Sequence, residues 1–469
     1  MDTTRLKQLV QSIWDNDIVP TLHEYIRIPN QSPDFDPNWE AHGYMEEAVQ
    51  LAYNWVAARD IPNSRLDILR IEGRTPLLLL EVEGSLPGTV LLYGHLDKQP
   101  PFEGWRSDEG LGPWTPVERD GKLYGRGGAD DGYAVFASVA AIEALHDQNI
   151  AHPRLVVVIE CSEESGSPDL PHYLNAHEER VGRPDLVVCL DSGCGDYDRL
   201  WSTTSLRGIV TGSLTVNVLT EGVHSGDASG VVASSFRIAR HVLSRLEDPE
   251  TGRIVPDSLH APIPESRKQQ AAQAADVLSS AVFDKFPFAG NMRPMSDERA
   301  ELVLNRTWRP ALSITGQDGM PLLENSGNVL RPSTSLKLSL RVPPTLSAEG
   351  AIGIVKELLE ANPPYGATVT FTPDHPGDGW EAPEIAPWLA SSVAEASQTF
   401  FGNAPCAMGE GGSIPFMGML GAKFPQAQFL ITGVLGPHSN AHGPNEFLHL
   451  DCASKLTACV AKVIADFPR

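Results

Sequence analysis

The sequence predicts an α/β protein. Its main domain is built on a mixed sheet covered by helices on both faces, and an α+β sandwich is inserted into it. Three observations carry this. Continuous apolar runs such as Leu155-Val156-Val157-Val158-Ile159 and Leu186-Val187-Val188-Cys189-Leu190 alternate with helical patterns, as strands buried on both sides require. Beyond Leu206 the pattern changes. Leu214, Val216 and Val218, and later Leu336, Leu338 and Leu340, alternate with polar residues, the mark of strands with one exposed face. At 469 residues the chain is too long for one compact core.

In chain order, residues 5–28 read as a helix, with Leu6, Leu9, Val10, Ile13 and Trp14 on one stripe. A second amphipathic helix fits residues 41–59 and stops before Pro62-Asn63-Ser64. Short apolar runs at 77–82 and 89–93 read as strands. The Pro/Gly/Trp-rich stretch 100–122 is long enough to suggest a functional connection. A glycine-rich turn at 125–132 opens an alanine-rich helix over 133–145, followed by the strands 155–160 and 186–190. The inserted sandwich spans 207–377, with helices over 232–246 and 348–361, a further strand at 368–372 and an irregular Pro-rich insertion between its halves. The main domain is therefore discontinuous, 1–206 and 378–469. It closes with a helix over 386–401, a glycine loop, a strand at 428–432 and a helix from 451.

Composition excludes several classes of partner. Lys and Arg number 36 against 60 Asp and Glu, so the net charge of −24 repels phosphate backbones and anionic lipid. Neither nucleic acid nor membrane is expected as a partner. No apolar run approaches a membrane span, and the first residues show no apolar signal-peptide core. Six scattered cysteines without a CxxC pair suit buried thiols in a reducing compartment, and a cytoplasmic location is expected.

The chemistry-bearing residues stand at predicted strand ends and helix starts. In Gly94-His95-Leu96-Asp97 the strand period of two puts His95 and Asp97 on one side of the chain. Asp130-Asp131 precede a helix, Glu163-Glu164 follow a strand, Asp191 ends another, and His442 lies in a glycine-flanked loop. Each has a plainer explanation: a surface ion pair, a helix cap, a solvated loop, a turn. Together, two His with Asp and Glu carboxylates make an inventory for two divalent ions. One carboxylate would bridge, each ion would take one further carboxylate and one imidazole, and a spare glutamate would stand beside a hydrolytic water. Separately, Leu336, Leu338 and Leu340 share one strand face, which leaves Lys337, Ser339 and Arg341 on the other. An arginine there suits bidentate carboxylate binding, or is simply exposed on an open sheet.

These motifs, with Gly125-Arg126-Gly127, Val223-His224-Ser225-Gly226 and Gly409-Glu410-Gly411-Gly412-Ser413-Ile414-Pro415, resemble the M20 metallopeptidases over essentially the whole chain. The resemblance is greatest to the carnosinase-type dipeptidase branch. It implies that His95 and Asp191 hold one ion, Glu164 and His442 the other, and Asp130 bridges them. It implies that Asp97 orients His95 and that Glu163 is the general base. The ions would be zinc, with manganese or cobalt as alternatives. The inserted domain would be a lid and dimerisation domain. From it His224 would stabilise the oxyanion, in many members across a homodimer interface, and Arg341 and Asn328 would hold the substrate. Ser413 and Gly412 of the glycine loop would meet the substrate carboxylate. The implied reaction is hydrolysis of an amide bond in a dipeptide or short peptide, by dipeptidase- or carboxypeptidase-like chemistry through metal-bound hydroxide. An N-acyl-amino-acid deacylase is the alternative, and a non-catalytic binding protein a remote one. One departure stands out: this branch usually carries Lys after the Asp pair, where this chain has Gly132.

Overall fold

A computed structural model describes residues 1–374, 376–412 and 415–468. The chain divides into two compact units. The first comprises Met1–Thr204, Ala382–Ala407 and Met419–Arg469, and the second Ser205–Glu381 with Met408–Gly418.

The first unit is organised on a six-stranded sheet in the order Ser64–Leu69, Leu77–Val82, Arg154–Glu160, Thr89–His95, Leu186–Cys189 and Gln428–Ile431. The first two pairings are antiparallel and the remaining three parallel, so the sheet is mixed. Leu78, Leu80, Val90, Leu92, Val157 and Val188 join the main core on one face. Leu79, Leu91, Val156, Val158 and Val187, pointing the other way, are equally buried. Burial on both faces is why these strands read as unbroken apolar runs. The alanine-rich helix Tyr133–Asp147 packs into that core with the closing helix Leu450–Ala465. Its small side chains let it lie close to the parallel strands.

The helix expected over residues 5–28 forms with an interruption. Thr3–Ile13 and Val19–Arg27 are joined by one wide π turn, Trp14–Ile18. Pro20 has no amide to offer the preceding turn, and widening the helix there accommodates the missing bond. The second expected helix breaks at Gly43, whose φ of 74° is open to glycine without strain, leaving Trp39–His42 and Tyr44–Ala57.

The second unit holds a four-stranded antiparallel sheet, Ala311–Asp318, Ser333–Val342, Gly208–Asn217 and Thr368–Pro373. Helices Ser235–Leu243 and Ala348–Glu360 pack on its apolar face through Ile238, Val242, Ile352 and Val355. The stretch between its halves is more regular than the expected insertion. It contains helices Glu265–Leu278 and Arg299–Thr307, with a small core of Ala271, Ala275, Val303, Leu304 and Trp308. Alanines carry the buried stripe of the first helix, so its apolar period is faint in the sequence. No described helix is long and apolar enough to cross a membrane.

Candidate metal centre and active site

The carboxyl ends of the central parallel strands and the turns after them bring the predicted ligands together. His95 ends its strand with its side chain fully buried. Its Nε2 lies 3.5 Å from Asp130 Oδ1 and 3.7 Å from Asp191 Oδ2. His442 Nε2 lies 3.0 Å from the other oxygen of Asp130 and 3.4 Å from Glu164 Oε2. Two groups with metal-ligand geometry result, His95–Asp130–Asp191 and Asp130–Glu164–His442, the donor atoms of each within 4.8 Å of one another. Asp130 belongs to both.

Unsatisfied atoms test whether cations fit here. Buried polar atoms are normally paired, yet His95 Nε2 and Glu164 Oε1 have no hydrogen-bond partner. Both belong to these groups. Oxygen-rich sets with one imidazole each suit divalent cations such as zinc, manganese or cobalt.

The supporting contacts hold these side chains from behind. His95 Nδ1 is 3.0 Å from the carbonyl of Asp97 and 3.4 Å from its Oδ1. The Asp97 carboxylate meanwhile accepts the backbone amides of Glu163 at 3.0 Å and Glu164 at 2.9 Å. Asp97 thus fixes the glutamate turn as well as the imidazole. Glu163 and Glu164 begin a short 3-10 turn, Glu163–Ser165. Glu163 Oε2 comes no nearer than 4.0 Å to His95 Nε2 and joins neither ligand group. Glu164 accepts from Gln99 Nε2 at 2.6 Å.

Electrostatics follow from carboxylates crowded out of water. Burial, then the charge of Asp191, holds Glu163 well above the ordinary carboxylate range. Burial, then Asp130, does the same to Glu164. Burial opposes charge on His95, but Asp130, Asp97 and Asp191 outweigh it and raise its pKa. Asp130 is driven the other way: burial opposes its ionisation, yet His442 and His95 more than compensate.

A profile of peptidase family M20/M25/M40 matches residues 91–466. The chain belongs to this family. A cysteinylglycine-S-conjugate dipeptidase of Corynebacterium striatum is 28% identical over 455 residues, covering 92% of this chain and 94% of the relative. The human Beta-Ala-His dipeptidase is 26% identical over 431 residues, covering 87% and 82% respectively. The crystal structure of human carnosine dipeptidase 1 superposes with a TM-score of 0.75 at 21% identity, covering 99% of this chain and 98% of that one. Such a likeness speaks for the M20 fold.

Other predicted residues lie in the second unit of this M20 chain. His224 is exposed and pairs with Val329 in a two-residue ladder, and the Ser225 amide donates to the carbonyl of Asn328 at 2.9 Å. His224 and Asn328 are therefore neighbours. Arg341 takes the half-exposed face of its strand, opposite Leu336, Leu338 and Leu340. Burial lowers its pKa, and no carboxylate pairs with it among the described residues. Buried Arg207 is pushed down to about 10 by burial and by the charges of Arg341 and Arg306. Gly412 is exposed, and Ser413 lies outside the described residues.

Several supports escape reading from sequence. Buried Arg126 donates to Glu446 at 2.6 Å and to the Gly443 carbonyl at 2.7 Å, while the Gly127 amide donates to Glu446 at 3.0 Å. This ion pair ties the glycine turn before Asp130 to the loop carrying His442. His442 itself adopts φ 61°, at a cost of about 1 kcal/mol for a residue with a side chain. Gly94 has a steric reason: a Cβ there would stand 2.5 Å from Ala134 Cβ and 2.7 Å from Asp131 Oδ2.

Glu160 is a second missed support. Its carboxyl accepts from Tyr93 at 2.6 Å and Ser167 at 2.8 Å, bracketing the glutamate turn from below. Burial, then the charge of Asp97, pushes it up to about 7 from its ordinary 4.5. The folded protein thus binds this proton more tightly than the unfolded chain does. The resulting stability is complete below pH 4.5 and disappears as pH rises through 7. In chelator-treated protein the loss should total about 3 kcal/mol, at roughly 1.4 kcal/mol per pKa unit. Glu160→Gln should flatten that slope in denaturant unfolding measured across this pH range. An unchanged slope would exclude Glu160 as its source.

Proposed function

We propose that this M20 protein is a dipeptidase that works with two divalent cations, most simply zinc. The observation that carries the proposal is the pair of ligand groups sharing Asp130, with Glu163 beside them and outside both. The dipeptidases named among its relatives support the substrate class.

In this reading His95, Asp191 and Asp130 would hold one cation, and Asp130, Glu164 and His442 the other. Divalent cations there would supply Lewis acidity. The remaining work falls to the chain. Glu163, kept proton-hungry by burial, takes the proton from water at its carboxylate and returns it to the leaving amine. Asp97 keeps the glutamate turn and the His95 ring in register. His224 stabilises the developing oxyanion. Arg341 and Asn328, with Gly412 and Ser413, bind the substrate, and the unpaired charge of Arg341 favours a peptide carboxylate. The second unit serves as lid and dimerisation domain of a homodimer. Six free thiols support a cytoplasmic location.

The test is a substrate panel on protein stripped by chelator and reloaded with zinc, manganese or cobalt. Dipeptides should be turned over with kcat/KM roughly a hundredfold above N-acetyl- and N-succinyl-amino acids, the discrimination expected where groups that pair with a free amino terminus are left unpaired by an acyl group. Activity should vanish with the metal and return with it. Preference for the acylated panel would make the protein a deacylase instead.

A further inference from the structure

Gly132 packs against the Tyr25 ring and the Gly127 carbonyl. A Cβ at Gly132 would stand 2.1 Å from Tyr25 Cε1 and 2.7 Å from the Gly127 carbonyl oxygen, so the ring of Tyr25 fills the space a longer side chain would enter. The other neighbour of that ring is a cation. Lys98, wholly buried, sets its Nζ 3.9 Å from the centre of the Tyr25 ring. Its aliphatic stem lies along Gly127, where a Cβ would come within 2.6 Å of Lys98 Cε. Gly127 can accept this contact because its φ of 83° is open to glycine. Its carbonyl receives the Gly132 amide at 2.9 Å. Lys98, Tyr25, Gly127 and Gly132 therefore form one packed group.

Lys98 is also bound at its tip. Nζ donates to the carbonyl of Tyr25 at 2.7 Å, which also accepts the Ile28 amide at 3.1 Å, and to the carbonyl of Ile28 at 2.8 Å, both at the end of helix Val19–Arg27. A cation there answers the negative end of the helix. Burial lowers the pKa of the ammonium and the charge of Glu446 opposes that fall.

The segment so gripped, residues 25–34, touches the machinery at both ends. Tyr25 Oη donates to the Leu96 carbonyl at 2.6 Å, and Asn30 Nδ2 to the same oxygen at 2.7 Å. The Lys98 amide donates to Asn30 at 3.1 Å and the Ser32 amide to Lys98 at 3.0 Å. Further on, the Ser32 and Ser165 hydroxyls are 2.6 Å apart, and the Asp34 amide donates to Ser165 Oγ at 3.0 Å. One end braces the stretch between His95 and Asp97, and the other the turn of Glu163 and Glu164. This segment lies before residue 91, where the family match begins.

We propose that Lys98 is a positioning residue of the peptidase reaction. It clamps residues 25–34 onto both the His95–Asp97 stretch and the glutamate turn. The inference rests on the peptidase reading above. Lys98 touches no reacting group. It acts by keeping Glu163 and His95 at fixed separation, and misplacement of about 1 Å in such a group costs roughly a hundredfold in rate.

The test compares Lys98→Ala with Lys98→Met, as metal-loaded full-length protein, on a dipeptide the unaltered protein hydrolyses. Lys98→Ala should lower kcat by roughly 10- to 100-fold with KM nearly unchanged. Amide hydrogen exchange should speed up in residues 25–34 and 163–165. Lys98→Met keeps the stem along Gly127 but loses the donor to the Tyr25 and Ile28 carbonyls, so its kcat should fall comparably. A purely packing role predicts a near-normal kcat for Lys98→Met. A Lys98→Ala or Lys98→Met protein with unaltered kcat overturns the proposal. If Lys98→Ala does not fold, Ser165→Ala probes the far end of the same clamp. A lowered kcat at constant KM supports the proposal, and an unaltered kcat overturns it. An unaltered protein inactive on every dipeptide would sink the peptidase reading instead, and hydrogen exchange would still decide the clamp.

Discussion

Replacing Glu163 with glutamine should lower kcat on a dipeptide by roughly a thousandfold, the middle of the range for losing a positioned general base. Metal content should stay at its unaltered value. The two halves of this expectation come from different observations. Glu163 belongs to neither ligand group, so its loss spares the cations. Its side chain is only 12% exposed, and burial with the charge of Asp191 raises its proton affinity toward that of a working base. Glutamine matches its shape and hydrogen-bonding reach but cannot take a proton. Steady-state kinetics beside elemental analysis make the measurement. Near-normal turnover would remove Glu163 from the base role, and a fall in metal content would make it a ligand.

Asp130→Ala should do the complementary damage. Asp130 offers one oxygen toward His95 and the other toward His442. Its removal takes a ligand from both groups at once, while Asp191→Ala or His442→Ala takes one from a single group. Even outer partners of metal ligands are worth about 10- to 100-fold in affinity, so both affinities should fall roughly a hundredfold or more. Calorimetric titration with zinc or manganese should show two strong sites in the unaltered protein, one in His442→Ala and none in Asp130→Ala. Retention of a strong site in Asp130→Ala would rule out a bridge.

How much of this is legible in the sequence depends on how far apart the cooperating residues stand. The strand ends at His95, Glu160 and Asp191 are readable because strands buried on both faces are continuous apolar runs. Open α/β sheets place ligands beyond such ends. Arg341 is readable from strict alternation within its own strand. The Arg126–Glu446 pair is not, because its members are 320 residues apart and no local pattern links them. Lys98 is hidden for another reason. A lysine directly after an aspartate is expected on the surface, and it is buried by residues distant in sequence, Tyr25 and Ile28 on one side and Gly127 on another. The helix Glu265–Leu278 escapes notice because alanine, its buried residue, gives little contrast to a polar face.

Adjacent residues in a strand point half a turn apart, and in an α-helix about 100° apart, but the 3-10 turn at Glu163–Ser165 separates neighbours by about 120°. That angle lets one dipeptide divide its labour, with Glu163 turned toward His95 and Glu164 toward Asp130, His442 and Gln99. Because both backbone amides end on the same carboxylate of Asp97, the two directions rotate together or not at all. In the proposed mechanism, proton transfer and cation binding at this turn would share a single mechanical reference. A change at Asp97 reaches both through the backbone amides its carboxylate holds.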